Sequence, residues 1–548
     1  MASGPEVENI SHGEADQNDN AKTTKGHVTD SNYANPLCNP ATSTRKTFKH
    51  APLPQLELSL GFAFIIGCVL YVKFRTDVIS REHMKDMRLP YFEKAWFPYN
   101  HGYRDISDYE WRFWKMNFLT AHILYSVLAY IILGRLVDWI IPELRKVFML
   151  SFGLVFVCIT MPARIVMFFA AHTAVAYIGA QSRRRWVVWL VAILQTASIF
   201  ANLDFYRWQK SFLPGLGDFV VPLTFGILKF ISFGLECCKN DDISQDYGLM
   251  DLLLYNFYFP LFIGGPVLTF DQFQKQVNRP AGPLSGQEWW NIIKNILRYI
   301  FWYFYIDIFL HFSYYSAFHK HPSMFRNLPP KDYPVLAGWH LMFFLIKYIV
   351  FYGIPVTIAM FDRIDGPKPP ACILSLYTFR DMWRYFDRGI HSMITRYIYF
   401  PLGGSRFGLF WNSAGAFVAF SFMALWHGNS YKMYSWAFCN WLGIQLETVL
   451  MGLAWTPRAL EMQRRLSGPG LRRVCAVAAT LNLMFLSLSN MIFLAGYPNI
   501  WSYCTGIFIQ GFPWVTLVVV TFLYISVQLI MEVQRRYSMD FIYNKKYF

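Results

Sequence analysis

Charge is what this chain has least of: 16% of its 548 residues are Asp, Glu, Lys or Arg, against 54% hydrophobic and 19% aromatic. A soluble domain of that length needs far more polar surface, which excludes an ordinary aqueous enzyme and points to a lipid environment. The signatures of several common chemistries are missing as well. There is no GxxxxGK[ST] loop, no GxSxG elbow, no HExxH and no CxxC, so a P-loop pump, a serine hydrolase and a zinc protease have no support. The 9 cysteines are an odd number and scattered, several of them inside apolar runs (Cys68, Cys158, Cys439, Cys475), so no disulfide framework is expected. No internal repeat is visible, which counts against an inverted-repeat transporter.

The net charge of +15 does not imply nucleic acid. Lys and Arg stand in short clusters between apolar runs, such as Arg183-Arg184-Arg185, Lys73 with Arg75, and Arg472-Arg473, the pattern of loops facing anionic lipid headgroups. Runs of the roughly 20 residues that cross a bilayer as helix recur near 56–74, 115–141, 146–161, 163–181, 186–202, 219–237, 290–312, 334–360, 407–426, 434–453, 474–495 and 510–532. The expected fold is an all-α polytopic membrane protein of about 10–12 transmembrane helices plus re-entrant segments around a membrane-crossing chamber. Residues 1–53 are polar and read as a disordered, non-translocated tail, residues 54–535 as the transmembrane domain, and 536–548 as a short cytosolic tail. The closing NKKYF resembles a dilysine retrieval signal of the endoplasmic reticulum, with the Golgi as the alternative compartment.

Two stretches interrupt the spans. YNFYFPLFIGGPVLTF (255–270) carries Pro260, Gly264, Gly265 and Pro266, and WRYFDRGIHSMITRYIYFPLGGS (383–405) interleaves charges with aromatics. Helix breakers and charges at membrane depth are tolerated where protein or a water-filled cavity covers them, so both are expected to be re-entrant and to line the chamber. A helix lying flat on the membrane surface is the alternative for the second.

Within FSFMALWHGNS (420–430) an imidazole, His427, closes an apolar run. An unpartnered polar group there costs roughly 2–7 kcal/mol, so a partner is expected, and Asp387 on the charged re-entrant piece is the best candidate. A buried Asp beside a His suits general acid–base work; a structural His bonded to a backbone carbonyl is the alternative. His172, Asp307, His311, Lys347 and Asn490 read as hydrogen-bonding groups of the bundle interior or as snorkelling ends.

MWRYFDRGIHSMITRYIYFPLGGSR followed by ALWHGNSYKMYSWAFCNWLG resembles the signature region of the membrane-bound O-acyltransferase superfamily, in which an Asn or Asp on a re-entrant piece precedes an intramembrane His. SREHMKDM (80–87), DYEWRFW (108–114), GGPVLTF (264–270), WRYFDRGIH (383–391), SNMIFLAG (489–496) and IFIQGFPWVTL (507–517) resemble its N-acylating branch, the protein-cysteine N-palmitoyltransferases of the hedgehog type. SQDYGLMD and FPLFIGGPVLTF also resemble the glycerol-uptake branch. The resemblance covers about residues 55–535.

It implies transfer of palmitoyl from palmitoyl-CoA to the amino group of the N-terminal cysteine of a secreted protein, a hedgehog-type or epidermal-growth-factor-type ligand, with membrane lipids around the enzyme. Asp387 and His427 become the catalytic pair, with Trp383 and Arg384 near the acyl chain, Arg388 and Arg396 available to the CoA phosphates, and Asn440 close to the reaction centre. It further implies haem b held by the Cys372 thiolate, because a cysteine precedes the catalytic Asp at the branch's spacing of fifteen residues. A sibling O-acyltransferase acting on a lipid or glycerol-like acceptor, and a transporter or channel, are the rival readings.

Overall fold

In the computed structural model, residues 50–87, 89–97, 102–200, 216–239, 247–262, 264–279, 282–428, 430–497 and 499–537 are described. The predicted N-terminal tail, apart from residues 50–53, and the terminal lysines lie outside them. The protein is an all-α polytopic membrane protein, because a backbone in hydrocarbon must satisfy its N–H and C=O groups within its own segment. Among the described residues nine helices are long and apolar enough to cross a membrane. They are α1 (Gln55–His83), α2 (Ala121–Ile140), α3 (Ala163–Gln181), α4 (Leu216–Cys237), α5 (Tyr333–Met360), α6 (Leu409–Trp426), α7 (Tyr431–Ala454), α8 (Gly468–Ala495) and α9 (Trp514–Arg536).

The expected number was higher because three predicted runs form other helices. Arg145–Thr160 and Arg185–Phe200 are 16 residues each, short for a full crossing. Gly286–Phe309 is long but carries Glu288, Lys294, Arg298 and Asp307. The run predicted at 115–141 is also not continuous. Asp108 caps a separate helix, Tyr109–Phe118, by accepting from the Trp111 N–H at 2.7 Å, and the chain restarts at Ala121. That helix turns Trp111 and Trp114 inward. Ahead of it, the strands β1 (Phe92–Lys94) and β2 (Tyr103–Asp105) pair antiparallel.

Two apolar cores hold the bundle. One gathers α3, α4, the Arg145–Thr160 helix, the 255–270 stretch and the inner face of α6. The other packs Trp111, Trp114 and the end of Gly286–Phe309 against α5. Ion pairs join the elements at their ends. Arg75 of α1 donates to both oxygens of Asp332, at 2.7 and 2.9 Å, at the start of α5. Arg472 of α8 meets Glu532 of α9 at 2.9 Å with both side chains 2% exposed, and it also donates to the Ala51 carbonyl at 2.6 Å. The Leu53 N–H donates to Glu532 at 3.1 Å. Residues 50–53, assigned from sequence to the tail, are therefore docked.

Removing one partner of such a buried pair strands the other charge. Glu532→Ala is expected to destabilise the protein by about 3–5 kcal/mol, seen as a lowered thermal transition of the protein purified in detergent.

Both interrupted stretches lie inside the protein. Leu249–Phe257 is a short helix, followed by a 3₁₀ turn at Phe259–Leu261, and residues 264–269 form neither helix nor strand before the helix Phe270–Val277. The buried Lys229 of α4 closes that break by donating to the Asn256 and Leu261 carbonyls at 3.2 and 3.1 Å. The second stretch is a helix at Phe379–Phe386, a junction at Asp387, a helix at Arg388–Ile394 and a π turn at Thr395–Tyr399. Gly389, Ile390, Met393, Tyr397 and Ile398 are buried, so it packs into the bundle and does not lie flat on its surface.

Candidate active site

The break at Asp387 has a local cause. Its carboxylate caps the Arg388–Ile394 helix, with Oδ1 accepting from the Ile390 N–H at 2.9 Å, and its non-helical backbone, at φ −118° and ψ 88°, ends the helix before it. The side chain that stops one helix and starts the next is thereby turned into the interior. His427 is placed by another helix end. It follows Trp426 as the last residue of α6, its N–H donating to the Met423 carbonyl at 3.0 Å, and Gly428, at φ 127°, turns the chain away.

Asp387 and His427 line one cavity of about 350 Å³, within the size range of ligand pockets. It lies where the two apolar cores meet, with Trp114 and Phe351 on one side and Met423 and Trp426 on the other. The His427 ring is held by aromatic edges: Trp426 at 4.7 Å, Phe493 at 5.1 Å and Trp436 at 5.4 Å between centroids. The second oxygen of Asp387, Oδ2, accepts from the Tyr352 hydroxyl of α5 at 2.6 Å. Both titratable groups lie outside the membrane-spanning helices. Burial pushes the Asp387 carboxyl above the usual carboxylate range, opposed by its hydrogen bonds from Tyr352 and Ile390. Burial, helped by Lys432, pushes the His427 imidazole below its ordinary value. Asp387 thus holds a proton more readily than a free carboxyl, and His427 less readily than a free imidazole.

The other sequence candidates divide by position. Trp383 lines the cavity, with Trp436 at 5.5 Å, and its indole N–H donates to Asn440 at 3.2 Å. Asn440 itself is fully buried behind that ring, and its amide donates to the Trp436 carbonyl at 2.8 Å, so it braces two walls of the site without lining it. Arg384 is exposed and Arg388 lies over the Tyr385 ring at 5.6 Å; neither lines the cavity. Arg396, a further candidate for CoA phosphates, is paired with Glu236 at 2.9 Å and Asp271 at 3.2 Å. Cys372 is exposed, outside the cavity lining, at the start of a single 3₁₀ turn. Among the described residues no cluster of His, Cys, Asp and Glu is set to hold a metal. Nothing here supports haem at Cys372.

Two residues on the wall were not singled out from sequence. Tyr352 sits in an apolar span, and Glu110 in the DYEWRFW block was quoted without a role. The buried Lys347 holds Glu110 at 2.9 Å and Asp108 at 3.1 Å, and Tyr348 donates to Glu110 at 3.5 Å. Tyr348 and Tyr352 stand one turn apart on one face of α5, with Lys347 beside Tyr348. Asn490, read as structural, also reaches the wall, where it accepts from the Trp436 N–H at 3.3 Å.

The profile of MBOAT, the membrane-bound O-acyltransferase family, matches residues 149–489, well over half of the chain. The chain belongs to this family. It is thus a multi-pass membrane acyltransferase. Among MBOAT relatives it is similar to mouse protein-cysteine N-palmitoyltransferase HHAT, 28% identical over 487 residues, 86% of this chain and 97% of that protein. The mouse HHAT-like protein is also 28% identical, over 502 residues, 89% and 97% of the two chains. The membrane-bound O-acyltransferase GUP1 of Candida tropicalis is 24% identical over 481 residues, 78% of each chain. Both MBOAT branches that the motifs resemble are therefore represented.

Proposed function

We propose that this MBOAT enzyme transfers palmitoyl, or a similar long-chain acyl group, from acyl-CoA to the amino group of the N-terminal cysteine of a secreted protein. The observation that carries the reading is the shared cavity of Asp387 and His427, a carboxylate and an imidazole on an otherwise mainly aromatic and aliphatic wall. The HHAT relatives support the amine as acceptor.

A free α-amino group has an ordinary pKa of about 8, so a fraction is already nucleophilic at neutral pH and positioning matters more than a strong base. The nitrogen attacks the thioester carbonyl carbon. Asp387 takes the proton the nitrogen loses, and the neutral His427 ring, whose burial disfavours imidazolium, donates its N–H to the developing oxyanion. The C–S bond then breaks, and the proton on Asp387 passes to the departing thiolate. Trp383, braced by Asn440, lies along the acyl side, and Arg384 and Arg388 are assigned to the approach of the CoA phosphates outside the cavity. The donor enters from the cytosol and the protein acceptor from the lumen of the endoplasmic reticulum. Haem at Cys372 rests on the resemblance alone, and no step runs through it.

The GUP1 similarity gives a second reading, acylation of a hydroxyl on a lipid or glycerol-like acceptor. Labelled palmitoyl-CoA with the protein in detergent separates them. Label is expected on a peptide beginning with Cys and not on the same peptide N-acetylated, nor on glycerol. Label on the blocked peptide through its thiol, or on glycerol in preference to the free amine, overturns the amine reading.

A further inference from the structure

The two oxygens of Asp387 are held differently. Oδ1 belongs to the backbone: its bond from the Ile390 N–H is the cap that starts a helix. Oδ2 belongs to the cavity, and its partner is the hydroxyl of Tyr352, 35 residues away in sequence, at 2.6 Å. A buried tyrosine needs some acceptor for its O–H, and a backbone carbonyl would serve. Here the bond goes to the carboxylate on which the proposed reaction turns. Tyr352 is 4% exposed, and its side chain and that of Asp387 line the same wall.

We infer that Tyr352 is a positioning residue for acyl transfer: its hydroxyl fixes Oδ2 of Asp387 while backbone N–H groups at the start of the Arg388–Ile394 helix hold the carboxylate, so that the remaining lone pairs of Oδ2 face the acceptor nitrogen. This rests on the proposed role of Asp387. When the acceptor N–H bond breaks, its proton bonds to Oδ2. The Tyr352 proton stays on the phenol throughout, and its hydrogen bond weakens as the carboxylate is neutralised and re-forms when the proton leaves with the thiol. The same bond favours the ionised, proton-accepting form in surroundings that otherwise disfavour it.

The other titratable groups on this wall are Tyr348 of α5, Tyr109 and Glu110 of the Tyr109–Phe118 helix, and His427 after α6. Behind them Lys347 holds Asp108 and Glu110. Arg388 lies over Tyr385, and Arg384 is exposed. Tyr348 supplies the matched comparison. It packs edge-on against Tyr352 at 5.4 Å on the same helix, but its hydroxyl serves Glu110.

The test uses the full chain in detergent. The C=O stretch of the protonated Asp387 carboxyl, assigned by its loss in Asp387→Asn, is titrated by infrared difference spectroscopy. In parallel, the pH profile of kcat/KM is measured for palmitoyl-CoA with the Cys-terminated peptide. In Tyr352→Phe the midpoint is expected to rise by about one pH unit. The acidic limb of the profile should move with it, because the ionised carboxylate is the competent form, and kcat at neutral pH should fall about tenfold with KM for palmitoyl-CoA unchanged. Tyr348→Phe is expected to leave the midpoint where it is. An unmoved midpoint in Tyr352→Phe, an equal shift in both variants, or a shifted midpoint with wild-type rates across the pH range each overturn the inference. The infrared readout needs no acceptor, so a wild-type enzyme that acylates glycerol and not the peptide refutes the proposed acceptor while the Tyr352 result still stands or falls by its midpoint.

Discussion

Asp387→Asn and His427→Ala are each expected to lower kcat for acyl transfer by at least about a hundredfold, with KM for palmitoyl-CoA little changed. The carboxylate-to-amide change is the sharper of the two. Asn keeps an oxygen to accept from the Ile390 N–H, so the cap of the Arg388–Ile394 helix survives, and the volume is conserved. What disappears is the negative charge, the acceptor that Oδ2 offers Tyr352, and the ability to take a proton, the last worth roughly 10²–10⁴ in rate where a general base is used. His427→Ala removes an N–H from the position assigned to the oxyanion, for which losses of about 10²–10³ are typical. It also removes one ring from the aromatic contacts with Trp436 and Phe493, and His427→Gln, which keeps an N–H donor, is expected to recover part of the rate. A fall in kcat with KM unaltered marks loss of an interaction made in the transition state. Single-turnover kinetics in detergent, with the thermal transition as a fold control, measure both variants. Wild-type turnover in either, with the fold intact, removes that residue from the mechanism.

The membrane character and most of the spans were legible because hydrocarbon imposes one rule on every segment, and composition reports it directly. Boundaries were legible only where a cap or breaker stood in the chain. Leu119 and Thr120 interrupt an apolar stretch without Pro or Gly, so the separation of Tyr109–Phe118 from α2 could not be seen, although Asp108 in DYEWRFW is an ordinary N-cap residue. That Asp387 and His427 share one cavity was readable because each is an ionisable group in apolar or interrupted surroundings, where such groups are turned inward. Tyr352 was hidden for the opposite reason. A tyrosine in an apolar span looks like any other aromatic, and its bond to Asp387 spans two separate elements. The arginines show the reverse error: Arg384, Arg388 and Arg396 look alike in sequence, but only coordinates reveal that Arg396 is already committed to Glu236 and Asp271.

Gly389→Ala is expected to cost nearly as much activity as the catalytic variants, although residue 389 carries no reacting group. It lies two residues beyond Asp387 in the second re-entrant piece and packs directly on the first. A Cβ at this position would land on the Val267 carbonyl oxygen, well inside van der Waals contact, with the Val267 nitrogen at 3.0 Å. Neither obstacle is the far end of a flexible side chain. Both are backbone, in a buried stretch with no room to retreat. The two pieces must therefore separate, and Asp387 moves with its own. Overpacking of this kind costs about 1–3 kcal/mol in stability, and a displacement of about 1 Å in a catalytic group can cost 10²-fold in rate. Gly452→Ala in the last turn of α7 is the control, since a Cβ there meets nothing within 4 Å, and replacing a helical glycine by alanine is neutral or stabilising by up to about 1 kcal/mol. Thermal transitions and turnover of the pair in detergent separate the outcomes. Gly389→Ala with wild-type turnover and stability would mean that the two interrupted segments do not hold each other in register, and the position of Asp387 would then need another cause.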